Sequence, residues 1–181
     1  MQDKVHTIKP LSRGLPKTGQ TYSIKAGDDG ALEIGWWLGR LVANNKKRFI
    51  EKELVSLESV LIDRATSLIW PKNLAGAATD FYSFKTWDNA MTWVATLNYG
   101  GFNDWRMPNI FELCTLYNGY TTEPCFHDTI FSNVNPAIPY WTSSMKPFDS
   151  SILHAVLFQV YLEIVPTSRL AERAIIPCRS I

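Results

Sequence analysis

Residues 86–117, TWDNAMTWVATLNYGGFNDWRMPNIFELCTLY, carry the pattern that decides the fold. Thr86 is a capping residue type, and Trp87, Ala90, Met91, Val94 and Leu97 recur at helical spacing as one apolar stripe. Gly100-Gly101 follows and offers the positive φ that commonly ends a helix. A short aromatic and charged link, Phe102-Asn103-Asp104-Trp105-Arg106, then leads through Met107-Pro108 to a second helix start. Asn109 is a good N-cap, and Glu112 stands three residues on, the spacing of a capping box. Ile110, Leu113, Leu116 and Tyr117 give the second helix its apolar face, and Asn118-Gly119 stops it. The stretch predicts two short helices joined by a fixed link.

Upstream, Ser59–Asp63 is β-branched and apolar, Arg64-Ala65-Thr66 turns, and Ser67–Trp70 returns before Pro71 ends the strand. Residues 71–85 form a Gly/Ala-rich connection. Asp28-Asp29-Gly30 lacks the regular oxygen spacing of a calcium loop and reads as a plain turn. Trp36-Trp37-Leu38 is expected to dock on the body of the domain, and residues 1–17 are a polar arm. Downstream, 118–138 is a long irregular loop. Tyr140–Ser144 reads as a short strand, 145–151 as a loop, and 166–172 as a turn. His154–Phe158, Tyr161–Val165 and Arg173–Arg179 read as closing strands. Hairpin, helices, loop and closing strands in that order predict an α+β domain over 18–181 with an antiparallel sheet.

The chain of 181 residues is 46% apolar and 13% aromatic, a core-building composition that needs neither metal nor disulfide to fold. A formal charge of +1 gives no whole-protein field for nucleic acid, and no apolar run approaches the ~20 residues of a membrane span. Residues 1–20 carry Lys4, Lys9, Arg13 and Lys17 without an apolar core, so they do not read as a signal peptide. Either the protein stays in the cytoplasm or a leader was removed before this numbering.

Cys114, Cys125 and Cys178 include no CxxC, which argues against a zinc site or a disulfide framework; one bridge among three pairings stays open. Among His6, His127 and His154, only His127-Asp128 near Cys125 forms a local cluster of catalytic residue types. No metal ligands are spaced for a site, no glycine-rich phosphate loop precedes a helix, and no cofactor is expected. Trp87, Trp105, Arg106, Pro108, Asn109, Glu112 and Trp141 are assigned to the scaffold. Trp93 lies off the first stripe and is expected to be partly exposed. Asp104 and Arg106, flanking Trp105, are expected to form an ion-pair or backbone hydrogen-bond lock between the helices.

A series of motifs runs through the chain in order. It comprises Thr18-Gly19-Gln20-Thr21, Gly27-Asp28-Asp29-Gly30, the hairpin ending Leu68-Ile69-Trp70, and Trp87 with Ala90. It continues with Gly100-Gly101-Phe102, Asp104-Trp105-Arg106-Met107-Pro108-Asn109, Glu112-Leu113 and Tyr140-Trp141-Thr142-Ser143-Ser144. This series resembles the Lcl C-terminal domain family, named for bacterial collagen-like adhesins, from about residue 18 to the end. The helix–link–helix grammar is also similar to that of formylglycine-generating-enzyme-like proteins. The resemblance implies a C-type-lectin-like fold, with two short helices packed on a twisted antiparallel sheet and long irregular loops. Ile176-Pro177-Cys178-Arg179 looks like its closing strand. The chain departs from the family in having Val94 where a helix-one cysteine is common, and Ser67 where the turn after Asp63 usually ends in Gly. The calcium signature of C-type lectins and the copper-binding cysteine pair of the formylglycine-generating enzyme are not recognisable.

The resemblance further implies a non-catalytic recognition module, extracellular, at the cell surface or periplasmic, binding glycans such as sulfated glycosaminoglycans. The cations such a ligand would meet here are Arg40, Lys46, Lys47 and Arg48, a run that reads otherwise as a solvated loop. An alternative is protein–protein recognition through the loops at 118–138 and 145–151, with Tyr120, Phe126, His127 and Phe148 on the binding face. A third, an enzyme, rests on His127 or Cys125. The expected partner is a glycan or a protein, without nucleic acid or membrane insertion; sequence does not specify an oligomeric state.

Overall fold

The computed structural model describes Thr18, Gln20, Phe131 and residues 22–32, 42–43, 46–54, 58–74, 81–118, 134–159 and 161–181. Within these, the chain is α+β, with antiparallel sheets and few short helices. One sheet runs β3(Phe49–Glu53), β4(Ser59–Asp63), β5(Leu68–Pro71), β9(Arg179–Ser180). The other runs β6(Tyr140–Lys146), β7(Asp149–Phe158), β8(Leu162–Ser168). A short ladder pairs β1(Val42–Ala43) with β2(Lys46–Lys47). The helices are α1(Asp29–Leu32), α2(Trp87–Ala95) and α3(Ile110–Cys114). Where sequence suggested one sheet, there are two principal ones.

The β4–β5 hairpin forms as its alternating signals demand, with Val60↔Pro71 through Asp63↔Leu68 in register. Its turn closes by the Ser67 N–H donating to Asp63 O at 2.9 Å, which places Ser67 at φ 63°. That is left-handed backbone, where glycine is the unstrained residue. The plain turn expected at Asp28-Asp29-Gly30 is instead the entry to α1: the Asp28 carboxylate accepts from the Ala31 N–H, three residues on, and from the Ile24 and Lys25 N–H groups before it. Those hydrogen bonds, that from Lys25 foremost, hold its pKa at about 2.

Tyr140 and Trp141 are successive strand residues, so they face opposite sides of the sheet. Tyr140, with Val156 and Phe158, joins the main core of β4, β5, Leu113, Leu116 and Ile176. Trp141, with Leu153 and Ala155, packs against Ala90 and Val94 of α2, Met107 and Ile175. The β6–β7 ribbon is therefore buried on both faces at its Tyr140–Trp141 end, which is why both residues are fully enclosed. Burial of roughly 200 Å² for a Trp is worth on the order of 5 kcal/mol before entropy is subtracted. The Trp141 indole N–H donates to Lys85 O at 2.8 Å, so the ring is buried without an orphaned donor.

Segment 173–180 stitches the two sheets together. Arg173 bridges Lys85, Ala174 bridges Tyr140, Cys178 bridges Arg106, and Arg179 pairs with Ile69. A continuous strand over Arg173–Arg179 was the expectation, but only Arg179–Ser180 forms a ladder. Pro177 has no N–H to donate, and the segment crosses between sheets instead of following one.

Three other expectations change. Gly100 and Gly101, at φ 65° and 75°, do not end α2, whose C-cap is Thr96. They form a two-residue turn with mutual Tyr99–Phe102 backbone hydrogen bonds of 3.1 Å, the conformation in which both central residues need positive φ. Residues 145–151 are not a loop but the end of a hairpin, with Pro147-Phe148 as its turn. Segment 166–172 turns only after Ser168, because β8 continues through Pro166. The Arg169 N–H donates to Ser151 O at 2.9 Å, so alternation along the ladder turns the Pro166 nitrogen to the open edge. There its missing donor costs nothing.

Replacing Ser67 by Gly is expected to stabilise the protein by about 1 kcal/mol, and Gly101 by Ala to destabilise it by about as much. Urea unfolding of both variants checks the sign and the size.

Candidate recognition surface

The neck between α2 and α3 is built from interlocking pairs. Asn109 caps α3, its side chain accepting from the Glu112 N–H at 2.9 Å while Glu112 Oε2 accepts from the Asn109 N–H at 2.9 Å. The capping box read from sequence is thus complete. Glu112 also accepts two bonds from the Arg106 guanidinium, at 2.8 and 2.6 Å. Burial alone raises the Glu112 carboxyl, but the Arg106 and Asn109 hydrogen bonds outweigh it and hold the group below the usual glutamate range. The Arg106 backbone exchanges hydrogen bonds with Cys178 at 2.8 and 2.9 Å, and Pro108 O accepts from the Ser143 N–H at 2.8 Å.

The expected lock around Trp105 exists with other partners. Asp104 pairs not with Arg106 but with Arg179, at 2.6 and 2.8 Å, and the Arg179 guanidinium lies 4.1 Å from the Phe102 ring centroid. Trp105 is buried and donates to Tyr99 O at 3.0 Å. It begins an edge-to-face run through Tyr99 and Phe81 to Trp93, with centroids 5.6–5.8 Å apart. Trp93 is partly exposed, as its place off the stripe suggests. Trp87 donates to Thr142 O at 3.0 Å, tying α2 to β6. Thr86 occupies the N-cap of α2, but its side chain makes no capping bond.

The basic run breaks up. Lys46 and Lys47 form the backbone of β2, and Arg40 lies outside the described residues. Arg48 corrects the expectation of a solvated ligand-binding cation: its side chain and that of Asp63 have no exposed area. Its guanidinium donates to both Asp63 oxygens at 2.9 and 2.7 Å and to Thr115 O at 2.9 Å. Asp63 also accepts from the Ala65 N–H and the Thr66 hydroxyl. This is a buried bolt joining β3, β4 and the end of α3. The run reads as surface because sequence shows the charges of Lys46-Lys47-Arg48 but not Asp63, fifteen residues away.

Tyr120, Phe126 and His127, with Cys125, also lie outside the described residues, as does Trp36-Trp37-Leu38. Cys114 and Cys178 are free thiols, and burial pushes them up to about 11 and about 12. They are therefore protonated and poorly nucleophilic near neutrality. Among the described residues, no group of three His, Cys, Asp or Glu side chains is placed to hold a metal ion, and no helix is long and apolar enough to cross a membrane.

Of the candidates, Phe148 stands out. It is fully exposed, at the second position of the β6–β7 turn, with φ 64°. Lys146 and Asp149 flank it, 3.9 Å apart and both exposed, and Asp149 accepts from the Ser151 N–H and hydroxyl. Those two hydrogen bonds hold the Asp149 carboxyl below its usual range. The Ser144 hydroxyl accepts from the Ile110 N–H at 3.0 Å, bringing the start of α3 beside the end of β6. Phe111 and Met145, the next residues on each, are both exposed. Sequence reasoning passed over Phe111, Met145 and Lys146. Phe111 was legible, since it lies off the Ile110–Leu113 stripe.

The arrangement is that of an α+β domain whose helix–link–helix neck is rigidly locked and whose hairpin end is free. Residues 59–169, more than half of the chain, match the Lcl C-terminal domain, and the chain belongs to that family. No curated protein matches it.

Replacing Asp63 by Ala strands Arg48 in the core and is expected to cost about 3–5 kcal/mol, measured by chemical denaturation. Because the Glu112 pKa is lowered by folding, its contribution is present above the ordinary glutamate range and lost as pH falls through the folded-state value. Glu112→Gln should lose about 1–2 kcal/mol near pH 7, and its stability should decline less on acidification than that of the parent.

Proposed function

We propose that this chain is a non-catalytic recognition module on a C-type-lectin-like scaffold at the bacterial surface, and that it binds glycans such as sulfated glycosaminoglycans. Family membership supports a surface role, since the family takes its name from collagen-like adhesins. The observation that carries recognition over catalysis is the division of labour among side chains. The arginines and carboxylates of the neck, Arg106–Glu112 and Arg179–Asp104, are each committed to holding the fold. What is left free is the hairpin end, where Phe148 is fully exposed beside Lys146. Arg48 is enclosed and closed to a sulfate, whereas Lys146 at the hairpin end is exposed.

Isothermal titration with heparin at low and high salt tests the reading. Heat at low salt that weakens as salt rises is expected, because counterion screening reduces contacts between exposed charges. The absence of heat at low salt would sink it.

A second reading, protein–protein recognition, is favoured by the exposed apolar pair Phe111 and Met145 on adjoining elements. It expects the double alanine variant of these two to lose a protein partner in a pull-down while keeping its response to heparin.

A further inference from the structure

Phe148 breaks two local rules at once. A bulky residue at φ 64° is strained where Gly or Asn would sit freely, and a fully exposed phenyl gains nothing from burial. The chain has the freedom to place Gly at such positions and does so at Gly100 and Gly101. Neither rule is repaid inside this fold: Phe148 projects from the turn that Lys146↔Asp149 closes, beyond a shift in the β6–β7 register at Met145. Pro147, with φ fixed by its ring, stiffens the first turn position, so the phenyl is presented on a rigid tip.

What surrounds the ring says what it meets. Lys146 and Asp149 bracket the turn and Ser150 and Ser151 follow it, so the residues next to the ring in the chain carry an ammonium, a carboxylate and hydroxyls. A protein hot spot is ordinarily set among other contacts that exclude water. A fully exposed ring with charged and hydroxyl residues next to it in the chain suits a ligand whose apolar face is one ring wide and whose edge carries hydroxyl or sulfate groups. The C–H face of a pyranose is such a surface, and it is attracted to the electron-rich face of a phenyl ring. We propose that Phe148 is a sugar-stacking residue, with Lys146 beside it as the contact for an anionic substituent of the same sugar unit. The assignment rests on the glycan reading above and adds to it a place on the molecule and a division between stacking and charge.

Titrating a size-fractionated heparin oligosaccharide into the parent, Phe148→Gly, Phe148→Trp and Lys146→Ala, at low and high salt, tests it. Phe148→Gly should bind about five- to tenfold more weakly at both salt concentrations, because stacking is not screened, while melting a few degrees higher through relief of the turn. Phe148→Trp should bind within about twofold of the parent. The loss in Lys146→Ala should shrink as salt rises. Parent-like binding by Phe148→Gly overturns the stacking role and leaves the glycan reading standing. Absence of heat with the parent overturns both. A Phe148→Gly that melts lower than the parent overturns the claim that the tip is held under strain.

Discussion

A single carboxylate, that of Glu112, sets the geometry on which the rest of the domain depends. It receives the Arg106 guanidinium on one side and the Asn109 N–H on the other. The start of α3 is thereby fixed relative to the link that precedes it. Arg106 is in turn paired through its backbone to Cys178, and Pro108 to Ser143, so the link is held to the closing segment and to β6 at once. Moving Glu112 would loosen a junction among α3, the second sheet and the segment that joins the sheets. Within Trp105–Glu112, the Trp105 indole, the Arg106 guanidinium and the Glu112 carboxylate all have hydrogen-bond partners, as partial burial demands.

How much was legible follows the range of the interaction. The capping box, α2, α3 and the β4–β5 hairpin rest on residues close together in the chain, and sequence exposes those directly. Gly100-Gly101 announced positive φ, but a helix end and a two-residue turn make the same demand, and only the facing pair Tyr99–Phe102 distinguishes them. Arg48 and Asp104 were misplaced for one reason. Their partners, Asp63 and Arg179, are brought near by sheet pairing, which nothing local reveals. The double-sided burial of β6–β7 was hidden too, although two adjacent large aromatics at Tyr140-Trp141 are its trace, since an open face would not tolerate both.

The candidate surface was partly visible. Phe148 stood among the residues set aside for binding, but as part of a loop; its turn position and its strain belong to the hairpin that replaced that loop. The neck is spent on structure, whereas Phe148 at the hairpin end is fully exposed. Scaffold and contact surface are thus separated in this chain, and substitutions at the tip need not disturb Trp105, Arg106 or Glu112.

The segment at 173–180 has a consequence for how the protein is made. It closes bridges to Lys85, Tyr140 and Arg106 and a ladder to Ile69, partners that lie tens to more than a hundred residues earlier. The backbone bridges that tie the two sheets through this segment form only once it has docked. Until then, Trp141 and its neighbours lack Ile175 on one face, and Tyr140 lacks Ile176 on the other. Closing loops of that length is slow compared with forming a helix or a hairpin, so the folding chain keeps these aromatic surfaces partly uncovered until the segment docks. The aromatic faces on either side of Tyr140-Trp141 are therefore the ones that need protection while the domain folds.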